Sequence, residues 1–138
     1  MRIREFAPGD EAALRHLHAS QGFGYEFPDL SDPLFVTRVV LLDAGKGTEE
    51  SLAAAALLRL TAEAYLLLDP RDGTPRRRWE RLLALHAAAA EDAWRKGLSD
   101  VHAWLPPGIS RRFGRRLESL GWIRDDRWTP YCKRLTAK

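Results

Sequence analysis

Apolar positions recur along this chain with two different periods, and the changes of period divide it into elements. Residues 2–6 predict a short strand, ended by Pro8 and Gly9, with Asp10 as the N-cap of the next helix. Leu14, Leu17 and His18 share one face of that helix, which ends near Gly22. The stretch GFGYEFPDLSDPLF that follows has no period and predicts an ordered loop with one short helical turn at Pro33. Residues 35–42, rich in Val and Leu, predict a strand, and residues 43–47 a turn. The alanines of residues 51–60 suit a helix, but turns on both sides and the strand-like run at residues 65–68 favour a β-meander.

Helical spacing returns after Asp72-Gly73. Thr74 is placed to cap a helix with Pro75 at its first position, and Trp79, Leu82, Leu83, His86, Ala87, Ala90 and Trp94 form its apolar stripe up to a C-cap at Gly97. This is the longest predicted element. Residues 101–105 predict a strand closed by Pro106-Pro107-Gly108, and Ser110 caps a basic helix with Phe113, Leu117 and Leu120 on one face, ending at Gly121. Residues 128–135 predict a last strand. The order is β, α, loop, β, β, β, long α, β, α, β. A strand that returns through a long helix to another strand implies a parallel pair, so the predicted fold is α/β with one mixed sheet.

Composition narrows the class without naming a function. The 138 residues are 45% hydrophobic and 30% charged, which suits one globular domain, residues 1–138, with a packed core. The net charge is only +3, yet nine of the 22 basic residues fall in two short segments, Arg71 to Arg81 and Arg111 to Arg116. Cys132 is the only cysteine, which excludes a disulfide within the chain and a cysteine-based metal site. The first residues, MRIREFAPGD, lack the apolar core of a signal peptide, and no apolar run is long enough to span a membrane, so the expected location is cytoplasmic.

The order of elements and several local phrases resemble the GNAT superfamily of N-acetyltransferases. IREFAPGDEAAL is similar to the family's first strand and helix, AYLLLDP to its fourth strand, RRLESLGW to its final helix and Leu-Gly-aromatic turn, and PYCKRL to its last strand. The resemblance implies that acetyl-CoA or another acyl-CoA binds in the splay between the fourth and fifth strands, beside Leu67 and Leu68, and passes its acyl group to an amine. It also implies that the pyrophosphate sits at the loop opening the long helix, where the family shows glycines. Here Arg77 and Trp79 occupy those positions, and Leu117 occupies the place of the family's proton-donating tyrosine.

Each candidate residue has a functional and a structural reading. Gly73, Thr74, Arg76, Arg77 and Arg78 could hold phosphate, the guanidinium groups replacing the missing glycines, or the arginines could be a solvated helix face. Glu63 is the candidate base and Asp69 a weaker one, though carboxylates at strand ends are usually solvated. The proton donor could be Tyr25, Tyr65 or Tyr131, with Tyr131 taken as the candidate acid. His102 and Trp104 could line an acceptor pocket or pack against a helix. Tyr25, Glu26 and Asp29 could select the substrate, or the loop's aromatics could plug one end of the core. His86 reads as a core histidine, and His16 and His18 lack acidic partners at ligand spacing, so no metal is expected. The partners implied are an acyl-CoA and an amine, with a homodimer left open. A GNAT-like module without catalysis is the second reading. Nucleic-acid binding is disfavoured by the low net charge.

Overall fold

The structure, a computed structural model, describes residues 1–45, 47 and 49–135. Lys46, one residue of the predicted 43–47 turn, lies outside them. The chain divides into two compact units, Met1–His102 and Ala103–Lys138.

The first unit begins with β1 (Arg2–Glu5), a 3-10 turn (Pro8–Asp10) and α1 (Glu11–Gln21). Asp10 stands at the N-cap position of α1, but its carboxylate reaches back and accepts the Ala7 N–H at 2.8 Å. It therefore closes the turn before the helix and makes no side-chain cap of α1. Gly22 ends α1 in the left-handed region, at φ 70°, which costs glycine little. β2 (Phe35–Asp43) and β3 (Ser51–Arg59) complete an antiparallel sheet of order β1-β2-β3. The run at residues 51–60, read as strand in preference to helix, thus forms β3 over Ser51–Arg59. A bulge between Leu41 and Leu42 shifts the β2–β3 register and sets Leu42 opposite Leu52.

The core lies where α1 covers this sheet. Leu14 from α1, Leu30 from the loop and Val40 from β2 are buried, Val40 with only 1% of its surface exposed. Phe6, Leu17, Phe27, Leu52 and Leu57 pack around them. Removing this apolar surface from water is the main source of the unit's stability.

The rest of the unit is β4 (Ala62–Glu63), α2 (Pro75–Arg95) and β5 (Val101–His102), with β4 and β5 paired in parallel. The Thr74 hydroxyl accepts the Arg77 N–H at 3.2 Å and Pro75 occupies the first position, as the sequence predicts. The N–H groups of Gly97 and Leu98 return to the carbonyls of Trp94 and Ala93, and Gly97 takes φ 81°, which closes the C-terminus. Leu82 is buried and Trp79, His86 and Ala93 are partly covered, whereas Trp94 is 75% exposed. The three turns from Leu82 bring Ala93, one position before Trp94, back to the covered face.

The second unit contains α3 (Pro107–Ser119) and the segment after it. The helix starts three residues before the expected cap, because Pro107 fits the first helical turn and Ser110 turns its hydroxyl to the Pro107 carbonyl. Gly121 follows the helix at φ 88°, near the predicted end.

Four expectations about strands and their sheet are corrected. The expected one mixed sheet is two sheets, one antiparallel and one parallel. Residues 65–68 are not a strand, since the ladder to β5 ends at Ala64 and a strand needs a neighbour to take its backbone hydrogen bonds. β5 stops at His102 and does not run to residue 105; Pro106 and Pro107 lack the N–H groups a ladder needs. Residues 128–135 carry no strand, and Trp128, Tyr131 and Leu135 are exposed.

Candidate functional site

The short β4–β5 ladder gathers the titratable groups of greatest chemical interest. Its register sets Ala62 beside Val101 and Glu63 beside His102, and the Ala64 N–H donates to the His102 carbonyl at 2.7 Å. What brings β5 here is Arg59, at the end of β3. Its guanidinium donates to the carboxylates of Asp32 at 3.2 Å and Asp100 at 3.1 Å, and to the Ser99 hydroxyl. One planar fork thus ties the loop before β2 and the segment before β5 to the same strand end. Asp100 above all, then Asp32, raises the Arg59 pKa, so the guanidinium stays charged.

Two pairs flank the ladder. Asp100 Oδ2 lies 3.6 Å from His102 Nε2, an ion pair when the imidazole is protonated. Glu63 ends β4 and stands two residues before Tyr65, and its carboxylate acts on the phenol through hydrogen bonding and through its charge. The hydrogen bonding first, and the negative charge second, push the Tyr65 pKa above its ordinary value, because both favour the neutral phenol. Glu63 is exposed and Tyr65 is 80% exposed, so both face solvent where a substrate can approach. A carboxylate that can accept a proton and a phenol that holds one, close together at the end of one strand, form a minimal acid–base pair.

The loop that opens α2 carries the arginines. Arg76 and Arg77 both reach Glu80, at 3.2 and 3.1 Å, and Arg81 reaches Asp72 at 2.7 Å. Arg78 donates to the Gly73 carbonyl, and Gly73 takes φ 75°. Three guanidinium groups therefore share two carboxylates while the fourth, that of Arg78, meets a backbone carbonyl, and no acidic residue lies in the first turn of α2. Positive charge is left over at a helix N-terminus. Asp69 accepts the Arg71 N–H at 2.8 Å and so closes a turn, which agrees with reading Asp-Pro as a turn signal.

The remaining expected site residues are dispersed. Tyr25 stacks on Phe23 and meets the edge of His18, while Phe27 packs on the core; the loop's aromatics thus divide between surface and core. Glu26 is exposed. Asp29 accepts both the N–H and the hydroxyl of Ser31, and that hydroxyl bond above all lowers its pKa, so Asp29 is a turn residue in this structure. Leu67 is 90% exposed and Leu68 partly covered, outside any strand. Trp104 and Tyr131 belong to the second unit, where the strands expected at their positions are absent.

Asp100 and Arg59 were not singled out from sequence. Asp100 stands two residues before His102, as Tyr65 stands two after Glu63; in extended chain that spacing puts side chains on one side, and this was the available signal. Arg59 had no local signal, because its partners are distant in sequence.

Among the described residues no helix is long and apolar enough to cross a membrane. No His, Cys, Asp and Glu side chains among them gather in a group that could hold a metal ion. Comparison with known proteins finds no matching family model, no matching curated protein and no matching solved structure.

Proposed function

We propose that the chain is a GNAT-like N-acyltransferase that uses acetyl-CoA or another acyl-CoA and an amine acceptor. The observation that carries this reading is the Glu63–Tyr65 pair at the end of a parallel β4–β5 ladder whose strands are joined by the long helix α2. Ligands of open α/β folds favour the carboxyl ends of parallel strands.

An acyl-CoA supplies an activated thioester. The residues that fit its diphosphate are Arg76, Arg77, Arg78 and Arg81 with the first turn of α2, where positive charge exceeds negative. Glu80 and Asp72 are exposed partners of these arginines, and screened surface pairs exchange at little cost. Glu63 takes a proton from the attacking amine as the new N–C bond forms and the C–S bond breaks. Tyr65 gives its proton to the departing sulfur, and Glu63 returns one to Tyr65, so the pair ends as it began.

The internal pairing of the arginines with Glu80 and Asp72 favours a second reading, a GNAT-like module without catalysis. Calorimetric titration with acetyl-CoA, followed by thiol release over a panel of amines, separates the two. Binding that weakens when Arg76, Arg77 and Arg78 become alanine, with turnover lost in Glu63→Gln, supports the enzyme. Absence of binding at millimolar ligand removes it.

A further inference from the structure

We propose that a second site, the cleft between α1, the aromatic loop and β3, binds a small phenol whose ring lies among the aromatic side chains and whose hydroxyl pairs with His18 Nε2. The cleft has a volume of about 530 Å3, within the usual range for small-molecule sites. Leu14, Leu17 and His18 line it from α1, Tyr25 and Phe27 from the loop, and Ala55 from β3.

Three observations select this class of ligand. Beside Ser20, Gln21 and His18 the lining is apolar and carries no carboxylate, lysine or arginine, so an ionic ligand would find no opposite charge there. His18 meets Tyr25 and Phe27 edge to face, with ring centroids 4.9 and 5.7 Å apart, and a further planar ring extends that arrangement. His18 Nε2 is buried and has no hydrogen-bond partner, an unfavourable state that an incoming hydroxyl relieves. A hydroxyl both donates and accepts, so it suits either tautomer of the imidazole. Nε2 is closed off from solvent, so a hydroxyl reaches it as a neighbouring lining side chain turns aside; Tyr25, which lines the cleft and meets His18 edge to face, is 43% exposed.

This site shares no residue with the β4–β5 ladder, and the inference does not rest on acyl transfer. The test is calorimetric titration of the whole chain with 4-propylphenol and with its methyl ether, 4-propylanisole. The phenol is expected to bind roughly tenfold more tightly than the ether, and His18→Phe, which keeps the apolar ring, to remove that difference. Ala55→Phe fills the cleft and is expected to abolish binding, with circular dichroism as the check on folding. Equal affinity for phenol and ether, or a folded His18→Phe that keeps the preference, overturns the proposal. If Ala55→Phe does not fold, His18→Phe alone decides.

Discussion

Arg4 and Asp10 form a two-point ion pair, with Nη1 to Oδ2 at 2.7 Å and Nη2 to Oδ1 at 2.8 Å, that joins β1 to the start of α1. The Asp10 side chain keeps only 12% of its surface exposed and also accepts the Ala7 N–H. Arg4 first, then Ala7, lowers the Asp10 pKa from 3.8 to about 2. The folded state therefore binds this proton less readily than the unfolded state. The pair contributes fully above the ordinary carboxylate value, and its contribution is lost as the pH falls from there to about 2. Asp10→Asn is expected to be less stable at neutral pH and to show a flatter stability profile across that acidic window. Urea unfolding followed by tryptophan fluorescence at a series of pH values reads both effects.

Arg59 makes a different kind of link, since its partners Asp32 and Asp100 stand 27 and 41 residues away. Truncation to alanine leaves both carboxylates without their cation and frees the segment that carries β5. The expected loss is about 1–2 kcal/mol, discounted for partial exposure. Arg59→Lys should recover only part of it, because an ammonium cannot span both carboxylates as the fork does. Urea titration measures the stability, and hydrogen exchange at the Ala64 N–H reports whether the β4–β5 ladder opens.

Local patterns were the most legible part of the fold. Thr74-Pro75, Gly22 and Gly97 announced helix ends through backbone chemistry that acts within a few residues, and the structure has them there. Pairing was less legible. The apolar run at residues 65–68 has the composition of a strand, but a strand also needs a neighbour, and which segments become neighbours is decided at long range. Arg59, Asp100 and Asp32 show the same limit at the candidate site: each looks like an ordinary surface charge until the fold brings them together.

The contrast between Leu14 and Leu67 turns this point into a measurement. Leu14 is buried beneath α1, and Leu14→Ala should cost about 2–4 kcal/mol through lost burial and the cavity left behind. Leu67 belongs to the apolar run whose composition predicts a strand, yet it is 90% exposed. Leu67→Ser should therefore change stability by no more than about 0.5 kcal/mol. A large loss in Leu67→Ser would show that this run is buried after all.

Thr74 isolates the contribution of one cap. Its hydroxyl accepts the Arg77 N–H, one of the donors that the first turn of α2 cannot satisfy within the helix. Thr74→Ala should cost about 1 kcal/mol, whereas Thr74→Ser, which keeps the oxygen, should be close to neutral. Thermal unfolding by circular dichroism distinguishes the two.

The Glu63–Tyr65 pair allows the candidate site to be tested without knowing the substrate. Because Glu63 raises the Tyr65 pKa, the neutral phenol and its hydrogen bond are favoured in the folded state. The associated stability is present below the ordinary tyrosine value of 10.0 and is lost as the pH rises through the higher folded value. Glu63→Gln removes the charge, so the Tyr65 midpoint should fall back towards 10.0. Ultraviolet difference spectroscopy follows the phenolate, and Tyr65→Phe identifies which of the three tyrosines carries the shifted transition. If the chain transfers acyl groups, Glu63→Gln should also lower kcat by about 10²–10⁴-fold, the usual contribution of a positioned base. A midpoint that does not move in Glu63→Gln would mean that the two side chains are not joined in solution, and the proton relay would lose its basis.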